Sequence, residues 1–544
     1  MAPHVFAYPI ALERPVTADE LSAMFAPDRC PVILNSALPG AARGWGVASP
    51  DGAVSPAGGR TPTAAGTAAE RPPRWCMIAA DPFALLTVRG RRVQIDEPID
   101  GIPTHTTRIM TGDPFDILQQ LLAERQVGPA VAASAGTLNS DLPDLPFFGG
   151  AMGFFGYELN RWIEPHARIY VEGDADPVSD LSVGLYESVL LFNLNTNEVW
   201  VAGVEFDDRP GTARRLARQY EETLRSLARR RPAIPFSLLP VSRLCSNFNR
   251  SEYMAAVGRA RAYIHAGDIY QVNLAQRLRA ELGPLPAAGT PIGTTDGLTS
   301  GAAGRELYRR LQRNSPAPFS AFLAGAGWAL AGASPERFLF SRGDGWVETC
   351  PIKGTRGRSA DPPADRALAG ELMASGKDAA ELVMIVDLER NDLGRVCRYG
   401  SVSVAEPRRL ESFPDVHHTT AVVRGRLRSG VGAVDLLRAA FPGGSITGAP
   451  KIRAMEIIAE LEQVRRGPYT GAVGYLGFDG RIDLNIAIRT ATLRAGQIDF
   501  HVGGGIVAES DPAAEYEETL TKAGGILSCL DSVAHAEVPK CMSG

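Results

Sequence analysis

Asp479-Gly480 stands between two strand-like runs, residues 471–478 (GAVGYLGF) and 481–494, and this arrangement restricts the fold more directly than any other local feature. A D-G pair accepts the positive φ angles of a two-residue turn, so the runs are expected to pair antiparallel as a hairpin. A further strand, residues 497–502, follows Ala495-Gly496. Apolar residues recur at helical spacing over 378–396, 452–464 and 511–530, and the last run has a start signal in Asp511 as N-cap with Pro512 behind it. In the N-terminal half, residues 147–163 and 181–206 read as glycine-punctuated, strand-rich core. A charged helical run over 211–231 precedes a domain boundary near 232–248. Residues 40–73 and 283–304, rich in Ala, Gly, Pro and Thr, bury too little apolar surface to offset chain entropy and read as surface loops or insertions.

The 544 residues suggest three or four domain-sized units, at about 150 residues each. A hydrophobic share of 45% with 22% charged residues argues for a soluble globular chain and against wholesale disorder, collagen or coiled coil. With 56 Lys and Arg against 61 Asp and Glu, the net charge of -5 offers no basic field for a nucleic-acid backbone, so no nucleic-acid partner is expected. Cys30, Cys76, Cys245, Cys350, Cys397, Cys529 and Cys541 stand singly, without a C-x-x-C pair, and read as reduced thiols of a cytoplasmic protein. The first residues lack a basic stretch followed by an apolar one, and no uncharged apolar run approaches roughly 18 residues, so neither export nor membrane anchoring is expected.

On the helix after Asp511, Glu515, Glu518 and Lys522 recur at spacings of three and four and share one face. Asp378 and Glu381 repeat the device on the 378–396 helix. Each pair alone reads as a solvated face with weak ion pairs; four carboxylates brought together would repel unless a cation sat among them, and oxygen-only ligands suit Mg²⁺. Residues 441–451 (FPGGSITGAPK) form a glycine-rich turn opening a helix, where backbone N–H groups can hold an anion. Ala449 stands where a Walker A lysine is required, and Asp511-Pro512 delays the helix that a dinucleotide fingerprint at Gly503, Gly505 and Ala508 would need. Lys353 lies between a strand-like stretch and a glycine turn, and would be a nucleophile only if burial or cationic neighbours kept its amine neutral. Glu336 offers an acid, and the pair His417-His418, without further spaced ligands, reads alone as packing or hydrogen bonding.

In their order, GDIYQVNLAQR (267–277), SPER (334–337), PIKGTR (351–356), ELVMIVDLERNDLGR (381–395) and GGSITGAPK (443–451), with segments 469–475, 483–490, 503–511 and 515–522, resemble the chorismate-utilising family typified by anthranilate synthase component I. The resemblance covers essentially residues 250–531 and reaches the N-terminal half only in places such as 34–36, 80–82 and 149–157. It implies an α+β fold in which two large antiparallel β-sheets pack as a sandwich with flanking helices. It also implies an N-terminal region 1–235 with the insertion 40–73, and a chorismate-binding catalytic region 236–535 with the insertion 283–304.

For the site, the resemblance implies Mg²⁺ held by Glu381 and Glu518, with Glu515 and then Asp378 at second rank, facing the C1 carboxylate of chorismate. Glu336 matches the acid that protonates the departing C4 hydroxyl. The branch that makes 4-amino-4-deoxychorismate resembles this chain in carrying a lysine at Lys353, whose amine attacks C2, whereas the anthranilate-forming branch carries alanine there. His418 matches the histidine near the C1 carboxylate, with His417 as its neighbour, and Thr447, Gly448, Tyr469, Arg489, Gly503, Gly505 and Lys522 match contacts to substrate carboxylates. Gln271 lies where isochorismate- and salicylate-forming relatives carry a water-activating lysine, a base that glutamine cannot replace. No cysteine sits in a G-x-C-x-G context, so the resemblance implies ammonia from a separate glutamine amidotransferase subunit, with free ammonium as a substitute. A tryptophan pocket, structural or inhibitory, would involve Ser36, Arg74, Trp75, Pro318, Phe319 and Ser320. Gly357 and Ala421 depart from the family pattern but remove no chemical group.

The implied function is amine transfer to chorismate for 4-aminobenzoate and folate supply. The alternatives are an anthranilate-forming component I or a non-catalytic chorismate or tryptophan sensor. Intact Glu336, Lys353 and metal carboxylates count against the sensor.

Overall fold

The computed structural model describes residues 3–22, 24–26, 29–37, 74–98, 105–127, 144–171, 178–230, 239, 241–283, 296–413, 416–531 and 538–541. The expected insertion at 40–73, and 284–295 of the second, lie outside these residues.

The hairpin forms as its turn dictates. Ala472–Gly477 pairs antiparallel with Arg481–Ile486, Tyr475 opposite Asp483, and Gly480 sits at φ +83°. The second run is not one strand, however. After Ile486 the chain leaves its sheet, passes through Arg489 at φ +49°, and Thr490–Arg494 joins the other sheet between Trp328–Ser334 and Gln497–Ile506. Hydrophobic alternation reports a buried face but not which sheet owns it, so this crossover leaves no local trace.

Among the described residues two twelve-stranded, wholly antiparallel sheets result, each with one strand off its main path, Gly448–Ala449 beside Gln271–Leu282 and Ser403–Ser412 beside Val416–Arg426. One runs from His4–Pro9 through Val199–Glu205, Ser188–Asn193, Arg74–Ala79, Val32–Ala37, Phe319–Gly325, Trp328–Ser334, Thr490–Arg494 and Gln497–Ile506 to Gln271–Leu282 and Val241–Ser246. The other runs from Ile352–Gly357 through Val416–Arg426, Trp346–Cys350, Arg337–Arg342 and the hairpin to Gly150–Phe155, Leu181–Tyr186, Ala84–Arg89, Arg92–Pro98 and His105–Met110. Both sheets cross the expected domain boundary, by Leu34 opposite Ala321 in one and Gly153 opposite Gly474 in the other.

The core between the sheets holds Trp75, Met77, Phe154, Leu323, Tyr475 and Leu484. A second apolar layer lies under Thr212–Arg230 and Asp296–Asn314, with Tyr220, Leu307 and Phe322, and a third joins Arg250–Ala266 to Lys451–Glu462 through Val257 and Ile458. The helix Asp296–Asn314 corrects the reading of 296–304 as loop. Its small residues serve close packing: a Cβ on Gly304 would stand 2.5 Å from that of Ala329.

The cysteine reading also needs correction, because Cys245 and Cys541 form a disulfide across 296 residues. The C-terminal segment lies beside the edge strand Val241–Ser246, with Cys541 N–H donating to Ser246 O at 2.7 Å, a proximity that single spacing cannot reveal. Cys76, Cys350, Cys397 and Cys529 are buried free thiols, and Cys30 is part-buried. Among the described residues no helix is long and apolar enough to cross a membrane.

Candidate active site

Strand periodicity presents the reactive side chains. Lys353 lies on Ile352–Gly357, paired with Val416–Arg426, and Glu336 follows Trp328–Ser334 at the step between sheets. Gln271 opens Gln271–Leu282, whose neighbour Gln497–Ile506 carries Gly503, Gly504 and Gly505. These glycines leave room on both faces. A Cβ on Gly505 would lie 2.7 Å from Gln271 Nε2 and 3.6 Å from Lys353 Nζ. One on Gly504 would lie 3.1 Å from Glu515 Oε2, 3.7 Å from Glu518 Oε1 and 3.8 Å from Lys522 Nζ.

The Lys353 amine donates to Ser445 O at 3.5 Å. Burial drives its pKa down, opposed by the carboxylates of Glu381, Glu336 and Glu518, while Lys522 adds to the lowering. Glu336 is buried, and burial raises its pKa against the lowering influence of the nearby Ser445 side chain, the Lys353 charge and the Ile352 N–H, which donates to Oε1 at 3.4 Å. The pair is thus biased toward neutral acid and neutral amine, the forms a general acid and an amine nucleophile need. Behind Glu336, the buried Glu389 accepts from Thr349 Oγ1 at 3.1 Å, and Asp392 pairs with Lys451 at 2.6 Å. Burial pushes Glu389 up to about 8, with Asp392 adding to the rise and Lys451 opposing it.

The two histidines point to opposite faces of their strand. His418 is buried with Nδ1 at 2.9 Å from Thr355 Oγ1, and Nε2 has no protein partner; burial, and then Arg489, lowers its pKa to about 3, so the ring is neutral. His417 instead lies between Ser412, at 2.8 Å, and Asp365, at 3.1 Å, away from His418's partners. Thr447 bonds Gly443 O at 2.9 Å, and Gly448 adopts φ +143° beside Gln271. Tyr469 stacks on His501 at 5.0 Å and 12°. Gln271 is fully buried, and neither amide atom has a protein partner.

The carboxylates suit a hard cation in type, but they are not assembled into a cage: among the described residues no three His, Cys, Asp or Glu side chains form a metal-binding group. Glu515 and Glu518 converge over Gly504, where a Cβ would intrude, with Glu515 held by Ser510 at 2.7 Å and Glu518 paired with Lys522 at 2.7 Å. Burial raises Glu515, and the neighbouring Glu518 adds to that. At Glu518 burial is outweighed by Lys522, Lys377 and Lys353, and its pKa falls. Glu381 faces Lys377 at 3.9 Å, whereas Asp378 is drawn to Arg356 at 3.5 Å. Lys522 also donates to Gly503 O at 2.9 Å.

The expected tryptophan-pocket residues gather at the junction of the two halves: Ser36 opposite Trp75, Arg74 opposite Ala37, and Phe319 two residues from the Leu34–Ala321 pair, with Pro318 and Ser320 beside it. Trp75 is fully buried. A cavity of about 370 Å³ lies toward the other end of these strands, lined by Val32, Leu85, Arg89, Met152, Leu323 and Trp328 and by none of the six. Sequence reasoning missed Ser445, Gly504 and Glu389. Strand alternation around Gly503 and Gly505 is the signal that would have found Gly504; the other two depend on neighbours remote in sequence.

A family model described as chorismate binding enzyme matches residues 82–528. Aminodeoxychorismate synthase component 1 of Salmonella typhimurium is 40% identical over 461 residues, covering 84% of this chain and 90% of that protein. Anthranilate synthase component 1 of Synechocystis sp. is 36% identical over 487 residues, covering 85% and 88%. The crystal structure of anthranilate synthase component I from Streptococcus pneumoniae superposes with a TM-score of 0.65 at 29% identity, over 86% of this chain and 95% of that one. With two antiparallel sheets arranged as in that structure and a family match across most of its length, the chain belongs to the chorismate-binding enzymes.

Proposed function

We propose that the chain is the amine-transferring component that converts chorismate and ammonia to 4-amino-4-deoxychorismate, for 4-aminobenzoate and folate synthesis. The observation that carries this reading is the Lys353 amine, biased toward its neutral form beside a buried Glu336. In the first half-reaction the amine forms a bond to C2, the ring double bonds shift, and the C4–O bond breaks. The hydroxyl takes the Glu336 proton and leaves as water, and the proton shed by the new ammonium returns to Glu336. In the second, ammonia bonds C4, the double bonds shift back, and the lysine leaves with a proton from Glu336, which recovers one from the new C4 ammonium. The sum is chorismate plus ammonia giving product plus water.

In this reading Thr447, Gly448, Tyr469, Arg489, Gly503, Gly505 and Lys522 orient the substrate carboxylates, the neutral His418 donates or accepts through its unpartnered Nε2, and Gln271 offers its open amide to the ring substituents. Mg²⁺ at Glu381, Glu515 and Glu518 would supply positive charge between an acidic face and an anionic substrate. Residues 236–535 would carry the chemistry and 1–235 complete the sandwich. Ammonia would come from a separate glutamine amidotransferase, consistent with relatives named component 1, and the setting would be cytoplasmic.

Anthranilate formation is the second reading, because relatives of that name match over a similar span. Incubation with chorismate, Mg²⁺ and ammonium plus the downstream lyase should yield 4-aminobenzoate; anthranilate as sole product rejects the proposal.

A further inference from the structure

The loop that carries Tyr469 is held from the N-terminal half of the chain. Residues 466–471 make two successive turns, with Tyr469 N–H donating to Arg466 O at 3.2 Å and Gly471 N–H to Pro468 O at 3.0 Å. The backbone is left-handed at two places, Gly467 at φ +60° and Thr470 at φ +59°. Glycine adopts that conformation freely, but a β-branched threonine does so only where its surroundings over-determine it. The shape of the loop is therefore imposed from outside.

Glu158 supplies much of that constraint. It lies in the turn Tyr157–Leu159, shortly after the strand Gly150–Phe155, and is only 6% exposed. Its two carboxylate oxygens accept from consecutive backbone N–H groups, Arg466 at 2.8 Å and Gly467 at 3.0 Å. The neighbouring Tyr157 N–H donates to Gly467 O at 2.8 Å. The segments also abut: a Cβ on Gly156 would stand 3.1 Å from Gly467 O, and one on Gly471 would stand 2.0 Å from Phe155 O. A carboxylate accepts as a fork without presenting a donor, whereas an amide would set its own N–H against one of the two backbone groups. The match is thus one of chemistry as well as volume.

What the loop delivers is the Tyr469 ring, buried and stacked on His501, which precedes Gly503 by two positions on Gln497–Ile506. The Arg466 guanidinium ties the halves together from the same loop, lying 4.8 Å from the ring centroid of Tyr157 and 5.6 Å from that of Tyr469.

We propose that Glu158 is a positioning residue for chorismate binding, holding the 466–471 loop so that Tyr469 meets a substrate carboxylate. The inference rests on the functional reading above and deepens it, because it gives the N-terminal half a part in substrate recognition.

The test is steady-state consumption of chorismate with Mg²⁺ and ammonium, with KM and kcat read separately. Glu158→Gln leaves one buried N–H facing a donor. It should raise the KM for chorismate about tenfold, the scale of one lost hydrogen bond to a charged group, and keep kcat within about twofold. Tyr469→Phe, which removes the hydroxyl, should raise KM as well. Because Glu158 acts through Tyr469, the double variant should be no worse than the worse single one, whereas independent contributions would multiply. A merely structural role would shrink the folded fraction and so lower kcat at unchanged KM. That outcome overturns the inference, as do multiplying effects or an unchanged KM in Tyr469→Phe. Should Glu158→Gln fail to fold, Glu158→Asp keeps the charge on a stem one methylene shorter, and an unchanged KM in that variant overturns it equally. A wild type that consumes no chorismate would sink the functional reading first, which separates the two failures.

Discussion

Two clusters of buried polar groups in the C-terminal half differ in how they are satisfied. Around Arg466 the guanidinium is fully engaged: Nε and Nη2 grip Glu462 at 2.9 and 2.6 Å, Nη2 reaches Asn273 O at 2.8 Å, and Nη1 reaches Ile446 O at 3.1 Å and Thr470 Oγ1 at 3.2 Å. Around Lys353, by contrast, both amide atoms of Gln271 and Nε2 of His418 have no protein partner. A closed network rigidifies the backbone it touches, whereas buried polar atoms left open are what a polar ligand can complete. Burial of charge therefore does not by itself mark a reactive site; at Lys353 it coincides with unfilled hydrogen-bonding capacity on two neighbouring side chains.

Mutation can break this contrast. Lys353→Ala should cost about 10³-fold or more in turnover while leaving the thermal midpoint within a few degrees of wild type. A loss of only a few-fold in steady-state kinetics would make the open cluster as structural as the closed one. Arg466→Met should instead destabilise the protein by about 3–5 kcal/mol, because Glu462 is left buried and unpaired, and Arg466→Met with Glu462→Leu should recover most of that in denaturant unfolding.

Glu389 sharpens the comparison through pH. Its folded pKa, pushed to about 8 by burial, exceeds the unfolded value, so the folded state binds the proton more tightly and stability falls as pH rises across that interval. Glu389→Gln removes the slope: between pH 5 and 8 its melting temperature should gain on the wild type, by the equivalent of a few kcal/mol at most. An unchanged slope would show that Lys451 already holds Glu389 ionised. The smallest effect on stability is expected at Gln271. Gln271→Met removes two unpartnered atoms at similar volume and should shift stability by less than about 1.5 kcal/mol, in either direction. The KM for chorismate should nevertheless rise, and an unaltered KM would remove Gln271 from the substrate contacts.

Features set by near neighbours were legible in the amino-acid order. Asp511 caps its helix through the Ala514 N–H at 2.8 Å, and the D-G turn closes its hairpin. Glu515, Glu518 and Lys522 do share a face, with Glu518 and Lys522 in contact. The sandwich itself was expected only through resemblance, since no pattern in residues 481–494 announces that one run serves two sheets. The reading of 296–304 as loop failed because glycine and alanine also mark close helix packing, and the thiol reading failed because Cys245 meets Cys541 only once the C-terminal segment lies along an edge strand.

The order of residues by itself determined the capped helices, the tight turns and the inventory of acids, amine and imidazoles, because these depend on stereochemistry within a few residues. Only the tertiary structure decided which partners each of two adjacent histidines takes, which carboxyls burial pushes toward their neutral form and what holds Lys353, whose acceptor on Ser445 lies 92 residues away. Protonation and partner choice follow from burial and from charges that separate strands bring together, and neither quantity exists until the sheets close.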